Sequence, residues 1–281
     1  MRRAVLRGAE GLWRDLPWRA TRDPWLVLVS EVMLQQTQAS RVVEPFCRFA
    51  AWFPTPAECA AARPADVVRA WAGLGYNRRA LHLHRTAVLL AERHDGRVPA
   101  ELDLLLELPG VGPYTARAGL VFGYGRAIGA VDTNVSRVLA RAVAGRPLSR
   151  AAAQGLADRL VPERGSWRFS QALFDLGERC CTARAPRCGA CPLARRCKWA
   201  RAGAQDPDPG TAGCRRQGEF SGSDRQGRGR LVSALRLGPV AAPALAAAAG
   251  WPDDTERASR VAHALVDEGM ACWLGGALTL V

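Results

Sequence analysis

Apolar residues recur at helical spacing through most of the first 200 positions. From Trp25 to Thr37 they fall three and four residues apart, and the segments Arg41 to Trp52 and Asp66 to Trp71 repeat this spacing. No alternating stretch of strand length occurs between residues 24 and 170, so this region is predicted to be helical. The fold class predicted for the chain is therefore mainly α.

The C-terminal part of the chain has a pattern of its own. Residues 201–218 are rich in Gly, Pro and Asp and are predicted to be a linker. Residues 270–281 alternate around Gly275-Gly276, a signal for a two-residue hairpin turn. Residues 219–281 are therefore predicted to form a small winged-helix-like domain. Its helices are predicted at three places: Ser223 to Arg236, Ala241 to Ala249, and Asp254 to Glu268.

A glycine-rich turn between two predicted helices reads Leu108-Pro109-Gly110-Val111-Gly112-Pro113. Pro113 suits the first position of a helix, where its missing N–H costs nothing. Gly110 and Gly112 allow the backbone to come close to a ligand, and the N–H groups at a helix start attract phosphate. From the turn alone two interpretations stay open, a phosphate-binding turn or an ordinary corner between two helices.

One carboxylate falls inside an apolar helix. Glu31 lies in the helix predicted from Trp25 to Thr37, and three glutamines follow it, at Gln35, Gln36 and Gln38. If it is buried, the pKa of Glu31 is expected to be raised, so that this group carries a proton near neutral pH. The alternative is a glutamate on the solvent-facing side of the helix, paired with an arginine.

A second carboxylate, Asp132, lies further along the chain. Together with Asn134 it precedes an apolar-periodic segment (Val135, Val138 and Leu139), which is the signature of a helix N-terminus. The N–H groups there favour negative charge, so Asp132 is expected to stay ionised. The alternative is an aspartate that only caps its helix.

Charge and composition restrict the partners. The chain has a net charge of +13 and a pI of about 10.3, and residues 141–230 hold most of the excess positive charge. This balance favours a polyanionic partner, nucleic acid above all, although arginine bias from base composition is an alternative because Lys198 is the only lysine. No apolar run approaches membrane-spanning length, and the N-terminus lacks an apolar signal core. The protein is therefore expected in the cytoplasm and without membrane contact.

Four of the nine cysteines lie within seventeen residues, at Cys181, Cys188, Cys191 and Cys197. In a protein expected inside the cell, this grouping indicates a metal centre and not disulfides. Zinc modules commonly use two CxxC pairs, whereas only one such pair occurs here. Four thiolates in one compact loop suit a 4Fe–4S cluster, and zinc stays open as the alternative.

Taken together, these motifs resemble those of the MutY-type adenine DNA glycosylases, over residues 12–200. The cysteine spacing and the glycine-rich turn are shared with endonuclease III relatives, so these two indicate only the superfamily. The glutamate motif and Tyr114, at the position where the lyases carry a lysine, are the specific part. In chain order the motifs are Trp18-Arg19, Ser30-Glu31-Val32-Met33-Leu34-Gln35-Gln36-Thr37-Gln38, Gly73-Leu74-Gly75-Tyr76, Leu108-Pro109-Gly110-Val111-Gly112, Val131-Asp132-Thr133-Asn134-Val135 and the four cysteines.

The resemblance implies a helix-hairpin-helix DNA glycosylase fold of two helical domains, with the DNA and the base pocket between them. One domain would join residues 1–24 to residues 138–200 and hold the 4Fe–4S cluster. The other, residues 25–137, would be a helical barrel that contains the helix-hairpin-helix. The linker and the winged-helix-like domain would follow.

The resemblance also implies a reaction. The enzyme would hydrolyse the bond between adenine and deoxyribose in double-stranded DNA, where the adenine lies opposite 8-oxoguanine or guanine. It would act as a monomer in base excision repair, at the nucleoid of a bacterium. Because a lyase usually works through an amine that forms a Schiff base, and the only lysine lies beside a cysteine, lyase activity is not expected.

Catalytic roles follow from the same resemblance. Glu31 would protonate adenine, and Asp132 would stabilise the cationic sugar by a covalent, retaining path. Tyr114 would orient or assist these two, and Asn134 would help to hold the pocket. The base must leave the stack first. Predicted DNA contacts are Gln36, Leu74 and Tyr76, which would fill or wedge the duplex, Gly110 and Gly112 in the phosphate-binding turn, and Gln171 at the flipped base.

One departure from the family is clear. Many members end in a Nudix-like domain that reads 8-oxoguanine, whereas only residues 219–281 follow the linker here. We hypothesise that these residues add a phosphate or partner contact through Arg225, Arg228 and Arg230. Two other functions stay open, a mismatch thymine or uracil glycosylase of the same superfamily, and a non-catalytic iron–sulfur protein that binds DNA or senses redox state.

Overall fold

A computed structural model describes residues 1–8, 10–204, 208–210 and 218–281. The chain forms two compact units, each assembled from separate stretches of sequence. Within the described ranges, no helix has both the length and the apolar character needed to cross a membrane. We call the units the cysteine unit (Met1–Leu28, Ala100–Leu106 and Val111–Arg215) and the tail unit (Val29–Pro99, Glu107–Gly110 and Arg216–Val281).

The regular structure is mainly helical, as predicted. The helices in chain order are α1 (Arg2–Gly8), α2 (Pro24–Leu34), α3 (Ala39–Trp52), α4 (Pro56–Ala61), α5 (Pro64–Ala70), α6 (Arg78–Arg93), α7 (Leu102–Leu106), α8 (Pro113–Gly123), α9 (Thr133–Val138), α10 (Arg150–Leu160), α11 (Ser166–Arg179), α12 (Lys198–Arg201), α13 (Asp224–Leu237), α14 (Leu245–Ala249) and α15 (Thr255–Asp267). The strands are β1 (Val240–Ala241), β2 (Ala271–Leu274) and β3 (Ala277–Leu280).

The first predicted helix is shorter than its pattern suggested. The pattern predicts a helix to Thr37, whereas α2 ends at Leu34. Gln36 adopts a left-handed backbone conformation with φ of +55°, which a continuing right-handed helix does not allow. The glutamines after Glu31 therefore belong to a turn.

In the cysteine unit the core is built around the apolar stripe of α11. Phe169, Ala172, Leu173 and Leu176 repeat at helical spacing and are buried. They pack with α9, which continues as a π-helical segment over Leu139–Ala144. Burying each of the larger side chains contributes about 1.5–3 kcal/mol to stability. This stripe therefore fixes α9 and its π-helical continuation against α11.

In the tail unit, α6 presents Leu83, Ala87 and Leu90 to its core, and all three are buried. The C-terminal residues form three helices and a sheet in the order β1-β3-β2, with all strands antiparallel. The second helix was predicted from Ala241, whereas α14 begins at Leu245, because Val240 and Ala241 pair with β3 as strand β1. Gly275 and Gly276 have φ of +57° and +78°, as a type I′ hairpin turn requires. The predicted hairpin and the winged-helix-like arrangement are confirmed.

The predicted domain boundaries stay a prediction, and the compact units are drawn differently. Residues 111–137, predicted to belong to the barrel, are part of the cysteine unit, and residues 219–281 belong to the same unit as residues 29–99. Of the predicted linker, residues 205–207 and 211–217 lie outside the described residues, as does Cys214.

Candidate active site and cysteine centre

Glu31 lies in an apolar helix, α2. In α2 its neighbours Val29, Val32 and Met33 are at most 3% exposed, and Glu31 itself is 5% exposed. No residue of α2 is exposed, so this helix has no solvent-facing side for the glutamate to occupy. The solvent-facing alternative for Glu31 is therefore wrong.

A buried arginine holds the turn that follows α2. Nη1 of Arg79, in α6, donates hydrogen bonds to the carbonyl oxygens of Val32 (2.8 Å), Met33 (2.9 Å) and Gln35 (2.6 Å). These are carbonyls that the end of a helix leaves without an intrahelical donor. Nη2 of the same guanidinium donates to the carbonyl oxygen of Gly75 at 2.9 Å. Burial lowers the pKa of Arg79 to about 10, so it remains charged at neutral pH.

Arg79 thereby fixes two residues predicted to contact DNA. Gln36 and Tyr76 both have left-handed backbones, with φ of +55° and +53°, and both line one open groove of the tail unit. Strained backbone of this kind persists only where the surroundings hold it, and it concentrates at functional sites. The prediction that Leu74 wedges into the duplex is corrected, because Leu74 is 4% exposed and packs into the protein. Tyr76, in contrast, is 40% exposed.

The glycine-rich turn is tied to this region. Nε2 of Gln35 donates to the carbonyl oxygen of Gly110 at 3.3 Å, and Oγ1 of Thr86 donates to that of Pro109 at 3.0 Å. Gly110 has φ of +78°, and a Cβ on it would lie 2.9 Å from Cβ of His82. Gly112 has an ordinary φ and precedes Pro113, which begins α8 as predicted. Space beside Gly112 is open, so a ligand can approach its backbone closely.

Asp132 caps α9, as the sequence predicts. Its Oδ1 accepts a hydrogen bond from the backbone N–H of Val135 at 2.7 Å, and its Oδ2 accepts one from Nδ2 of Asn134 at 3.1 Å. Burial nevertheless raises the pKa of Asp132, against the opposing effects of these hydrogen bonds and of Arg137. Desolvation is the largest influence on this pKa, so the helix start is not the only feature that sets it. That Asp132 stays ionised remains a prediction.

Arg137 connects Asn134 to the cysteine loop. Its Nη2 donates to Oδ1 of Asn134 at 2.7 Å and to the carbonyl oxygen of Gly177 at 2.8 Å, while its Nε donates to the carbonyl oxygen of Cys181 at 2.6 Å. Gly177 permits the approach of α11 to α9, because a Cβ there would lie 2.8 Å from Cβ of Asn134. The amide of Asn134 is thus oriented with its nitrogen towards Asp132.

Two further predicted residues lie in the cysteine unit. Tyr114, in the first turn of α8, is partly buried, and its ring meets that of Phe174 edge-on at 6.3 Å between centroids. Gln171 is buried in α11 at 7% exposure. Among the polar side chains of α11, Asp175 is fully buried and accepts hydrogen bonds from Arg19, at 2.8 Å from both Nη1 and Nη2. The Trp18-Arg19 motif therefore anchors the N-terminal segment to α11.

The four predicted cysteines line one cavity of the cysteine unit. The rest of its lining is mainly apolar, with Leu176, Leu193 and Trp199, and contains no carboxylate or imidazole. A 4Fe–4S cluster takes cysteine ligands alone, one to each iron, and four cysteines at one mainly apolar cavity match that ligand set. The cavity fits a 4Fe–4S cluster.

A fifth cysteine also lines this cavity. Cys180 is 1% exposed, and its thiol donates to the carbonyl oxygen of Arg187 at 3.2 Å. Burial raises the pKa of Cys180, and it also raises the pKa of Cys191, to about 12, so the pKa does not separate Cys180 from the predicted ligands. What sets Cys180 apart is its position outside the spacing of the four predicted ligands.

Arg141, which is 1% exposed, holds the cysteine loop by hydrogen bonds to its backbone. Nη1 of Arg141 donates to the carbonyl oxygen of Thr182 at 2.7 Å, and Nη2 donates to that of Ala183 at 3.0 Å. Its Nε donates to Oδ1 of Asp208 at 2.8 Å. Asp208 belongs to the predicted linker, so this part of the linker packs against the cysteine loop.

Sequence reasoning missed these buried arginines. Arg79, Arg137 and Arg141 are 8%, 8% and 1% exposed, yet nothing in their spacing separates them from the many surface arginines of this chain. The sequence signal that could have indicated a structural role for two of them is their position beside predicted site residues. Arg79 follows the Gly-Leu-Gly-Tyr turn, and Arg137 follows Asp132 and Asn134.

Comparisons with known proteins agree with this description. Residues 29–160 match the HhH-GPD superfamily of base excision DNA repair proteins, and residues 181–197 match the iron–sulfur binding domain of endonuclease III. The chain is 44% identical over 264 residues to the adenine DNA glycosylase of Mycolicibacterium smegmatis, covering 92% of this chain and 87% of the relative. It is also 44% identical over 266 residues to that of Mycobacterium tuberculosis strain H37Rv, covering 92% and 85%.

Among solved structures, a thermostable thymine-DNA glycosylase superposes with a TM-score of 0.68 at 29% identity, covering 72% of this chain and 95% of the other. Residues 1–218 make up less than four fifths of the chain, so an alignment that spans 92% of it extends into residues 219–281. The thymine-DNA glycosylase shares the fold at 29% identity, and the adenine DNA glycosylases are more similar, at 44% identity along most of both chains. The chain belongs to the adenine DNA glycosylase family within the HhH-GPD superfamily, and it carries a 4Fe–4S cluster.

Proposed function

We propose that this protein removes adenine from double-stranded DNA by hydrolysing the N-glycosidic bond, where the adenine lies opposite 8-oxoguanine or guanine. The observation that carries the proposal is the burial of Glu31 in α2. Adenine is a poor leaving group until a ring nitrogen is protonated, so its removal needs an acid shielded from water. Thymine has no basic ring nitrogen, and a buried acid at this position therefore favours adenine.

In this mechanism Glu31 donates a proton to a ring nitrogen of the flipped adenine. The bond between that base and C1′ then breaks, and its electron pair leaves with the base. The sugar becomes an oxocarbenium-like cation, which an anion must stabilise. Asp132 is that anion, with its carboxylate oriented by Val135 and Asn134.

We propose that the path is retaining. The carboxylate of Asp132 adds to C1′, and a water molecule that loses its proton to Glu31 later displaces the carboxylate, which leaves a hydroxyl on the sugar and restores both groups. Tyr114 assists in orienting the reacting groups, and Gln171 contacts the flipped base. Gln36 and Tyr76 occupy the duplex where the base has left, since both are held at the end of well-fixed turns.

Strand cleavage is not part of this activity. Lys198 is exposed at the start of α12, directly after Cys197, and it is the only lysine in the chain. Tyr114 stands where the lyases carry a lysine and has no amine to form a Schiff base. The product is expected to be an intact strand with an abasic site.

We further propose that the cluster ligands are four of the cysteines that line the common cavity, Cys181, Cys188, Cys191 and Cys197. When bound, the cluster supplies a cross-link that orders the loop. That loop exposes four arginines to solvent, which would grip backbone phosphate. They are Arg184, Arg187, Arg195 and Arg196.

The decisive experiment is a base-release assay on three labelled duplexes that carry A opposite 8-oxoguanine, A opposite G, and T opposite G. We expect release from the adenine strand only, with strand breaks appearing only after alkali, and no release by the Glu31→Gln protein. The duplex with T opposite G tests the alternative that the protein is a thymine glycosylase. This alternative is worth testing because the chain is similar to a thymine-DNA glycosylase of known structure. Release of thymine, or equal release by Glu31→Gln, contradicts the proposal.

A further inference from the structure

The C-terminal domain forms part of the groove in which Gln36 and Tyr76 lie. This groove has a volume of about 450 Å³. Arg228, on α13, and Glu268, directly after α15, line it together with residues of the turns after α2 and before α6. The remaining lining residues are Gln35, Asn77, Arg78, Arg79 and His82.

Two arginine contacts fix the domain at this place. Nη2 of Arg236, on α13, donates to Oδ1 of Asn77 at 2.7 Å, and its Nε donates to the carbonyl oxygen of Val68 at 3.0 Å. Nη2 of Arg85, on α6, donates to the carbonyl oxygen of Glu268 at 3.0 Å. Hydrogen bonds from Arg236 and to Glu268 therefore set the position of the C-terminal domain at the groove.

Of the three arginines that the sequence suggested for a phosphate contact, only Arg228 reaches this groove. Arg225 lies over the ring of Phe220, and Arg230 packs against Gly250 within the domain. Nη2 of Arg228 instead donates to Oε2 of Glu268 at 2.6 Å. Their side chains are 23% and 21% exposed, so the pair is shielded but open to an approaching ligand.

The charges of the lining favour an anion. The residues that line the groove include three arginines, Arg78, Arg79 and Arg228, and one carboxylate, that of Glu268. His82 adds little charge near neutral pH, because burial and the neighbouring Arg78 and Arg85 lower its pKa, against the opposing effect of Glu268. A phosphate oxygen is an anionic acceptor like Oε2 of Glu268, and a guanidinium can bind two oxygens of one phosphate, so a phosphate can take the place of that carboxylate.

We propose that Arg228 binds a backbone phosphate of the DNA, and that this phosphate displaces Glu268 from Arg228 when the duplex enters the groove. The inference rests on the proposed function, in which DNA is the substrate and Gln36 and Tyr76 occupy the duplex where the base has left. It gives the C-terminal domain a part in holding DNA through a backbone contact that is independent of base sequence.

The test measures equilibrium binding by fluorescence anisotropy over a range of salt concentrations, on duplexes with A opposite 8-oxoguanine, A opposite G, and no mismatch. Arg228→Ala is expected to raise Kd about 3- to 10-fold on all three, and to reduce the slope of log Kd against log salt by about one. Glu268→Gln is expected to lower Kd about 2- to 5-fold, since Arg228 loses its competing partner. In the double variant the gain from Glu268→Gln should vanish.

A matched ion pair of the same domain supplies the controls. Arg260 and Glu256 form an exposed pair with 3.6 Å between Nη1 and Oε1, and neither lines the groove. Arg260→Ala and Glu256→Gln should leave Kd and the salt slope unchanged. Tighter binding by Glu268→Gln cannot come from misfolding, so this arm decides the matter even if Arg228→Ala is unstable.

The proposal is overturned if Arg228→Ala matches Arg260→Ala, if Glu268→Gln matches Glu256→Gln, or if the loss is confined to the 8-oxoguanine duplex, which would indicate base reading. Failure of the proposed function is a separate result. It would show as no adenine release by the unaltered protein, whatever the binding constants of the variants.

Discussion

The side-chain amide of Asn134 donates to Oδ2 of Asp132 at 3.1 Å, and it can do so only with its nitrogen turned to that carboxylate, because its oxygen already accepts a hydrogen bond from Arg137 at 2.7 Å. The hydrogen bond to the carboxylate favours the ionised form of Asp132. It opposes the burial that raises the pKa of the same group.

A pH profile tests this relationship. If the ionised form of Asp132 is needed, the single-turnover rate of adenine release should fall as the pH is lowered through the raised pKa of that group. The fall should therefore begin at a higher pH than for an ordinary aspartate. Asn134→Ala removes a hydrogen bond that lowers this pKa, so the acid limb should move to still higher pH.

The same profile distinguishes this effect from a loss of structure. A merely destabilised protein would lose amplitude at all pH values without moving the limb. The idea fails if the acid limb of Asn134→Ala coincides with that of the unaltered protein, or lies at lower pH.

Replacing Glu31 by glutamine should stop base release while leaving DNA binding intact. Glutamine has nearly the same shape but carries no transferable proton, so the rate should fall by about 10²–10⁴-fold or more. Single-turnover kinetics and anisotropy on the same duplex measure the two properties. The control is Glu44→Gln, which changes an 86% exposed glutamate on α3 and should leave both values unaltered.

The cysteine assignment can be checked by iron content and visible absorption. Serine at Cys188 or Cys191 should lower the content below four irons per chain and make the loop unstable, because one iron of the cluster loses its thiolate. Serine at Cys180 should retain four irons, since Cys180 lies outside the spacing of the four predicted ligands. A retained cluster in both ligand variants, or its loss in Cys180→Ser, would refute the assignment.

Arg79→Met should lower both stability and DNA affinity. The change leaves the carbonyl oxygens of Val32, Met33 and Gln35 without the guanidinium donor, which should cost on the order of 2–4 kcal/mol of unfolding free energy. Chemical denaturation measures that cost. In Arg78→Met, an exposed neighbour of the same groove, stability should hold while DNA binding weakens.

Local chemistry was enough to predict many of the elements. Pro113 begins α8, Asp132 caps α9, and Gly275-Gly276 make the hairpin turn, because each of these depends on the backbone preferences of a few adjacent residues. The four cysteines were predicted as one metal centre from their spacing, and they do line one cavity. The motif order also placed the chain in its family.

By itself, then, the sequence determined the helical class and the family, and it supplied the residues that are proposed to carry the chemistry. Tertiary structure decided their environments: it buries Glu31, removes Leu74 from the surface, and raises the pKa of Asp132. It also turns Arg79, Arg137 and Arg141 into internal supports and brings Arg228 to the groove. The reason is that burial and pKa depend on all the neighbours that packing brings together, most of them distant in sequence, whereas an arginine reads the same in sequence whether it faces water or the core.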